Sequence, residues 1–372
     1  MGQTPITSVP FELYGDHIIF KVSIDDSEPL DFIFDTGAGL TVIDKDVAAG
    51  LKLSGKEITM NQTQTTLELI KHNKIEINGF LMEKNIKVYA AEMDHLERRL
   101  GRDIDGIFGY DLMEHHTIHL DYDEKTLDIY GIGEGPVTGD MIPFYLNVAI
   151  PTIDATTILN NGEPIEATFF VMTGAGTTLD YNTPFAEKHD IIHKTGKHFS
   201  YSVEDISGNA TLHYEGHIKS LKFGAEHYEE LPVGISQATS GIQAHSDVAG
   251  IIGNRLLSLY NITIDLHNKH FFFTPNSRYG KTHLINSAGV EILLSEDKER
   301  IMVHDIFEGS PAEEVGILEG DELLKVDGKD AKTLSFAEIR EILMNEGESV
   351  TLQLSRNGKI QDFTFEMRSL IY

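Results

Sequence analysis

Asp35-Thr36-Gly37-Ala38 follows the apolar run Phe32-Ile33-Phe34, and 137 residues later Phe169-Phe170-Val171 leads into Met172-Thr173-Gly174-Ala175. An aspartate at the end of an apolar strand suits hydrolysis by a carboxylate pair. Two such groups share one proton; one polarises a water as base and the other protonates the scissile carbonyl oxygen. Their like charges drive the two pKa values apart, so both roles coexist in one pH window. The strand holds the acid from below, the following Thr can hydrogen-bond across to a second copy, and Gly permits the tight turn that exposes the carboxylate. Asp35, Thr36 and Gly37 meet each requirement. In the second copy Thr173, Gly174 and Ala175 are kept, but Met172 stands where the acid belongs. A thioether cannot share a proton or orient water by charge, and loss of a positioned acid or base costs about 10²- to 10⁴-fold. Members of a dyad act as a unit, which enlarges the loss. The nearest downstream carboxylate, Asp180, aligns with Ile43 of the first copy and so is expected away from the pair.

An isolated Asp-Thr-Gly is weak evidence, because Asp and Gly punctuate turns in any β protein. The elements around it strengthen the reading. Asp105-Gly106-Ile107-Phe108-Gly109 returns as Ala249-Gly250-Ile251-Ile252-Gly253, and Ile118-His119-Leu120-Asp121 as Ile262-Thr263-Ile264-Asp265, each 144 residues on. Three elements recurring in one order at nearly one spacing predict two homologous lobes, 1–138 and 139–278. Short apolar or alternating runs such as 18–24, 30–34 and 127–130, set between Gly, Asn and Asp clusters, make each lobe mostly β. One short helix is expected over 91–100. The glycine-rich stretch 131–139 reads as the linker between lobes.

After Pro275 the pattern changes. Ser310-Pro311-Ala312-Glu313 and Ser335 to Glu338 are helix-start signatures, and Phe336, Ile339 and Leu343 mark one buried helical face. Val350, Leu352 and Leu354 alternate up to Asn357-Gly358, and Phe363, Phe365 and Met367 alternate after it, which predicts a hairpin with a type I′ turn. A third, α+β domain is expected over 285–372.

Composition narrows the functions. With 59 Asp plus Glu against 30 Lys plus Arg among 372 residues, the formal charge of -29 argues against nucleic acid as a partner. The absence of cysteine excludes thiolate catalysis, disulfides and Cys-based zinc sites. No apolar run reaches the roughly 20 residues that span a bilayer, and 1–10 lacks the regions of a signal peptide. His115, His116 and His119 near Glu114 and Asp121 invite a metal reading. Their second-lobe counterparts are Leu259, Tyr260 and Thr263, however, and on a strand His116 would point away from the other two. No metal is expected there, and Gly37-Ala38-Gly39 lacks the lysine and spacing of a phosphate loop.

The Phe-Ile-Phe-Asp35-Thr-Gly-Ala run and the paired elements at Gly106 and Gly250 resemble the retropepsin-like and pepsin-like aspartic peptidases. The run Glu308 to Gly316, followed by Gly320 to Gly328, is similar to the PDZ domains attached to bacterial peptidases. The resemblance implies a bilobal pair of acid-protease-like β-barrels followed by a small α+β PDZ-like domain. It also implies a cleft between the lobes, with Asp35, Thr36, Gly37, Met172, Thr173 and Gly174 at its centre and Ala38 and Ala175 against substrate. Endopeptidase chemistry on extended polypeptide, without metal or cofactor, would follow, impaired by Met172. The alternative is an inactive peptide-binding or scaffolding protein. Hairpin flaps are expected at 59–66 and 204–211, and an envelope or periplasmic location. In the PDZ-like domain, Gly289, Val290 and Ile292 are expected to form a carboxylate-binding nest and strand edge, with Ile339 on the facing helix.

Overall fold

A computed structural model describes residues 4–59, 66–82, 86–204, 210–281 and 285–372. The first lobe runs β1 (Thr7–Tyr14), β2 (His17–Ile24), β3 (Leu30–Phe34), β4 (Thr41–Asp44), α1 (Lys45–Gly50), β5 (Lys56–Thr59), β6 (Thr66–Asn73), β7 (Ile75–Ile77), β8 (Phe80–Leu81) and β9 (Ile86–Ala91). It continues through α2 (Asp94–Leu100), β10 (Gly106–Phe108), α3 (Tyr110–His115), β11 (Thr117–Asp121) and β12 (Thr126–Tyr130). The second lobe runs β13 (Asp140–Pro143), β14 (Tyr145–Asn147), β15 (Ile150–Ile158), β16 (Pro164–Met172), β17 (Leu179–Tyr181), α4 (Thr183–His189), α5 (Ile191–Lys194), β18 (Phe199–Glu204) and β19 (Ala210–Phe223). β20 (Glu226–Ser236), β21 (Gly250–Gly253), α6 (Asn254–Leu257), β22 (Tyr260–Asp265) and β23 (His270–Pro275) complete it. The last part holds β24 (Val290–Leu294), β25 (Ile301–Ile306), α7 (Pro311–Glu314), β26 (Glu322–Val326), β27 (Lys329–Asp330), α8 (Phe336–Leu343), β28 (Ser349–Arg356) and β29 (Lys359–Glu366).

The repeated motifs become equivalent strands. In the first lobe β10 lies parallel to β3, with Gly106 opposite Phe32 and Phe108 opposite Phe34, and antiparallel to β4. In the second, β21 lies parallel to β16, with Gly250 opposite Phe169 and Gly253 opposite Met172, and antiparallel to β17. The central strand of each trio is glycine-bounded because the backbones come close. A Cβ on Gly109 would lie 1.9 Å from the Asp35 carbonyl oxygen, and one on Gly250 would lie 1.9 Å from that of Asp180.

The third repeated motif joins the lobes. β11 pairs antiparallel with β22, Ile118 opposite Ile264 and Leu120 opposite Ile262, so the two copies of one sequence element hydrogen-bond to each other. This ladder carries a 15-stranded sheet across both lobes, while an 8-stranded sheet belongs to the second lobe alone. Leu120, Ile118, Ile262 and Ile264 are buried within one apolar cluster that also holds Phe34, Phe108 and Phe169.

The last part is a 6-stranded sheet, β24-β25-β26-β28-β29 with β27 on β26, around its own apolar cluster. Ser310 and Ser335 cap their helices, the latter in a capping box, and Asn357 and Gly358 both take the positive φ of a type I′ turn. Two expectations are corrected. The helix expected over 91–100 begins only at Asp94, because Ala91 still belongs to β9, which pairs with β4. His115 ends α3 instead of sharing a strand with His119. His116 packs edge-on against Phe80, and His119 Nδ1 lies 2.9 Å from Thr263 Oγ1 across the lobe junction. No cluster of three or more metal-ligating side chains occurs among the described residues.

Leu120 is fully buried in the ladder between lobes. Leu120→Ala is expected to cost about 2–5 kcal/mol, read from urea unfolding, with both lobes melting in one transition.

Candidate active site

Each copy of the Thr-Gly loop leaves its strand at the lobe junction, and the two threonines lock together. Thr36 N–H donates to Thr173 Oγ1 at 3.0 Å, and Thr173 N–H donates to Thr36 Oγ1 at 3.1 Å. Each hydroxyl then donates onward, Thr36 Oγ1 to the Val171 carbonyl at 2.6 Å and Thr173 Oγ1 to the Phe34 carbonyl at 3.0 Å. Both side chains are 1 % exposed, so four polar groups are satisfied without water. At each position the hydroxyl accepts one bond and donates another through a single oxygen.

The same near-twofold arrangement sets Asp35 and Met172 over the opposite loop. A Cβ on Gly174 would lie 2.3 Å from Asp35 Cγ, and one on Gly37 would lie 2.3 Å from Met172 Cε. Each glycine is therefore the floor on which the other lobe's side chain rests. Asp35 Oδ1 accepts from Gly37 N–H at 2.8 Å and from Gly174 N–H at 2.9 Å. Carboxylate and thioether thus occupy corresponding positions, and the Asp35 oxygen takes a donor from each loop. Burial raises the Asp35 pKa above its ordinary value, while the two amide donors oppose that rise by stabilising the anion. Met172 packs with Ala175 on the apolar cluster of Ile150, Phe170, Val248 and Ile251, which suits a thioether.

The turns that flank the loops are unequal. Beside Gly176 lie Asp16 and His17, at the turn between β1 and β2. Arg255 Nε donates to Asp16 Oδ2 at 3.0 Å, and Asn254 Nδ2 donates to the Asp16 carbonyl at 2.8 Å. Beside Gly39 lie Val148 and Ala149, a turn in which both residues have positive φ, a conformation that costs non-glycine residues strain. One flank is charged and the other, with Tyr145 and Val148 exposed, is apolar. Nothing in the repeats announced Asp16, His17 or Arg255. The one available signal was Arg255's place two residues after Gly253.

The remaining expected residues divide. Ala38 and Ala175 follow their glycines in the two loops; Ala38 N–H donates to the Asp35 carbonyl at 3.0 Å and Ala175 N–H to that of Met172 at 3.3 Å. Asp180 accepts from Thr177 Oγ1 at 2.6 Å and lies 3.7 Å from His213 Nε2, with which it forms a separate polar group. Of the flap candidates, 60–65 and 205–209 lie outside the described residues. Their flanking strands pair, Thr59 opposite Thr66 and Glu204 opposite Ala210. Gly289, Val290, Ile292 and Ile339 come together in the third domain, where the latter three are 2 %, 1 % and 0 % exposed.

Residues 20–112 match the family model described as aspartyl protease, and residues 303–356 match that of the PDZ domain. A stretch of 154 residues is 23 % identical to the carboxy-terminal processing protease CtpA of Bacillus subtilis (strain 168), covering 41 % of this chain and 32 % of that protein. The chain thus spans about a third of the length of that relative. The crystal structure of an aspartic proteinase from Irpex lacteus superposes with a TM-score of 0.46 at 12 % identity, covering 73 % of this chain and 97 % of that one.

Two outcomes are expected. Thr36→Val orphans the Thr173 N–H and the Val171 carbonyl, and Thr173→Val the Thr36 N–H and the Phe34 carbonyl, each group at about 1–3 kcal/mol, so both variants should show lower urea midpoints than the parent. Burial, with the charges of Arg340, Arg99 and Arg255, lowers the His17 pKa to about 4 against the opposing pull of Asp16. A folded-state pKa below the unfolded 6.5 gives stability that is complete above pH 6.5 and is lost as pH falls toward 4. Between those values the fold should lose on the order of 3 kcal/mol through this group. Urea midpoints at both pH values should show a smaller loss in His17→Gln.

With the family matches laid on this geometry, the chain is an aspartyl-protease-like scaffold that carries a C-terminal PDZ domain.

Proposed function

We propose that this scaffold is that of an aspartic endopeptidase for extended polypeptides, impaired in this chain by Met172. The observation that carries the reading is the exchange of floors: Asp35 rests on Gly174 and Met172 on Gly37, as the two acids of a dyad would. Asp35, Thr36, Gly37, Thr173 and Gly174 are assigned to the catalytic centre, and Ala38 and Ala175 to the substrate side of the loops. Asp35 alone, with its pKa raised, can hold a proton or polarise a water, but it has no second carboxyl to protonate the scissile carbonyl oxygen. In a complete dyad the Gly174 amide would support an acid at 172; here it donates to Asp35 instead. The resemblance to envelope peptidases supports an envelope or periplasmic location.

A second reading is favoured by the same residue. With Thr173 and Gly174 keeping the loop in shape, the cleft can hold an extended chain without cutting it, and the PDZ domain offers a second site of the peptide-binding kind.

Met172→Asp decides between them. Incubated with an unfolded polypeptide between about pH 3 and 7, the variant should cleave at least about 10²-fold faster than the parent chain. A transition-state-mimicking aspartic peptidase inhibitor should abolish that gain. A variant that stays folded by circular dichroism yet shows no inhibitor-sensitive cleavage refutes the peptidase reading.

A further inference from the structure

β24 ends the order of its sheet, and an edge strand presents unpaired backbone groups to which an extended peptide can add. Here three of its carbonyls are already engaged. Val290, Ile292 and Leu294 are alternate residues of the strand, and the carbonyl of each accepts from a side chain. Asn286 Nδ2 donates to Val290 at 2.7 Å, Arg340 to Ile292 at 3.2 Å, and Arg98 Nε to Leu294 at 3.0 Å. Arg340 comes from α8 and is also paired with Glu291 at 2.9 Å, so it bridges the two walls between which a peptide would lie. The loop leading into the strand is engaged as well. Ser287 and Ala288 N–H both donate to the Leu343 carbonyl, and Gly289 N–H donates to Asn286 Oδ1.

Arg98 belongs to another part of the molecule, α2 of the first lobe, and it does not act alone. Lys298, just beyond β24, lies 2.7 Å from Asp94 and also pairs with Glu97, at the start and middle of α2. Past its C-terminal end, Gly101 takes φ 71° and lies so close to the Phe336 ring of α8 that a Cβ there would fall 2.2 Å from ring Cγ. Ala337 of α8 packs on the cluster of Tyr14, Leu100 and Ile104. One short helix thus touches both walls of the groove and caps its edge.

We propose that α2 is the resident occupant of the PDZ domain's peptide edge, so that the domain is closed by its own chain and takes a polypeptide C-terminus only when α2 withdraws. An incoming strand needs the Ile292 and Leu294 carbonyls, and those are the groups held by Arg340 and Arg98. The ligand class is an extended peptide with a free carboxylate, which would compete with Glu291 for Arg340 as the strand forms. This inference rests on the PDZ match and not on the chemistry of Asp35, which the Met172→Asp assay tests separately.

The test uses the full chain and two opening variants: Asp94→Lys, which sets a cation against Lys298 at a side chain 63 % exposed, and Arg98→Ala. Hydrogen exchange at 94–100 and 290–294 should rise together by at least about tenfold, while 349–356 stays as in the parent. Random heptapeptides with free C-termini, displayed on phage and selected on the Asp94→Lys chain, should bind it at least about tenfold more tightly than the parent. Exchange that rises in α2 and leaves β24 unchanged overturns the proposal. Equal affinity for both chains, or no enrichment on the opened one, overturns it too.

Discussion

The reciprocal hydrogen bonds between Thr36 and Thr173 are the constraint on which the rest of the architecture depends. They lie where two strands from opposite lobes end, and they fix the separation of those ends with four satisfied buried groups. A lost or misplaced hydroxyl would leave an amide and a carbonyl unpaired in a dry junction, which is more costly than the bond's net worth. The ladder between β11 and β22 supports the same junction from below with regular strand pairing. Together they make the position of Asp35 relative to residue 172 a property of the fold and not of either loop.

That geometry explains why a methionine is tolerated. The side chain at 172 sits on Gly37 with apolar neighbours, so a thioether loses no hydrogen bond of its own, and the amide of Gly174 finds Asp35 Oδ1 instead. On the proposed reading, a frame suited to two acids accommodates one acid and one apolar group. A second carboxylate placed there would meet both burial and the charge of Asp35, so a restored pair holds a shared proton or loses stability.

Much of this was legible in the sequence because internal repeats report on symmetry directly. The recurrences at 137 and 144 residues became parallel strand pairs, β3 with β10 and β16 with β21, and the third recurrence became a ladder between its own two copies. Capping residues and the Asn357-Gly358 turn were legible because they act over three or four residues. What could not be read were contacts between unlike parts. Arg98 looks like any charged residue on a short helix, and its bond to Leu294 spans 196 positions with no pattern to announce it. The same holds for Asp16 with Arg255, which meet across the lobes, and for Phe199 stacked on Phe307, where a strand of the second lobe docks on the last domain. His115 reads as strand in the sequence because the helix it ends has only six residues, too few for a period to show.

Under the proposed peptidase reading, Met172 would have a kinetic consequence as well as a chemical one. A complete acid pair disposes of what it holds by cutting it, so residence in the cleft ends with the reaction. On the proposed reading, a frame that lacks the second acid would release a bound polypeptide mainly by dissociation. Occupancy would then be governed by the off-rate, and so by contacts along both flanks of the cleft. The charged turn at Asp16 and the apolar turn at Val148 would then set lifetime in place of turnover.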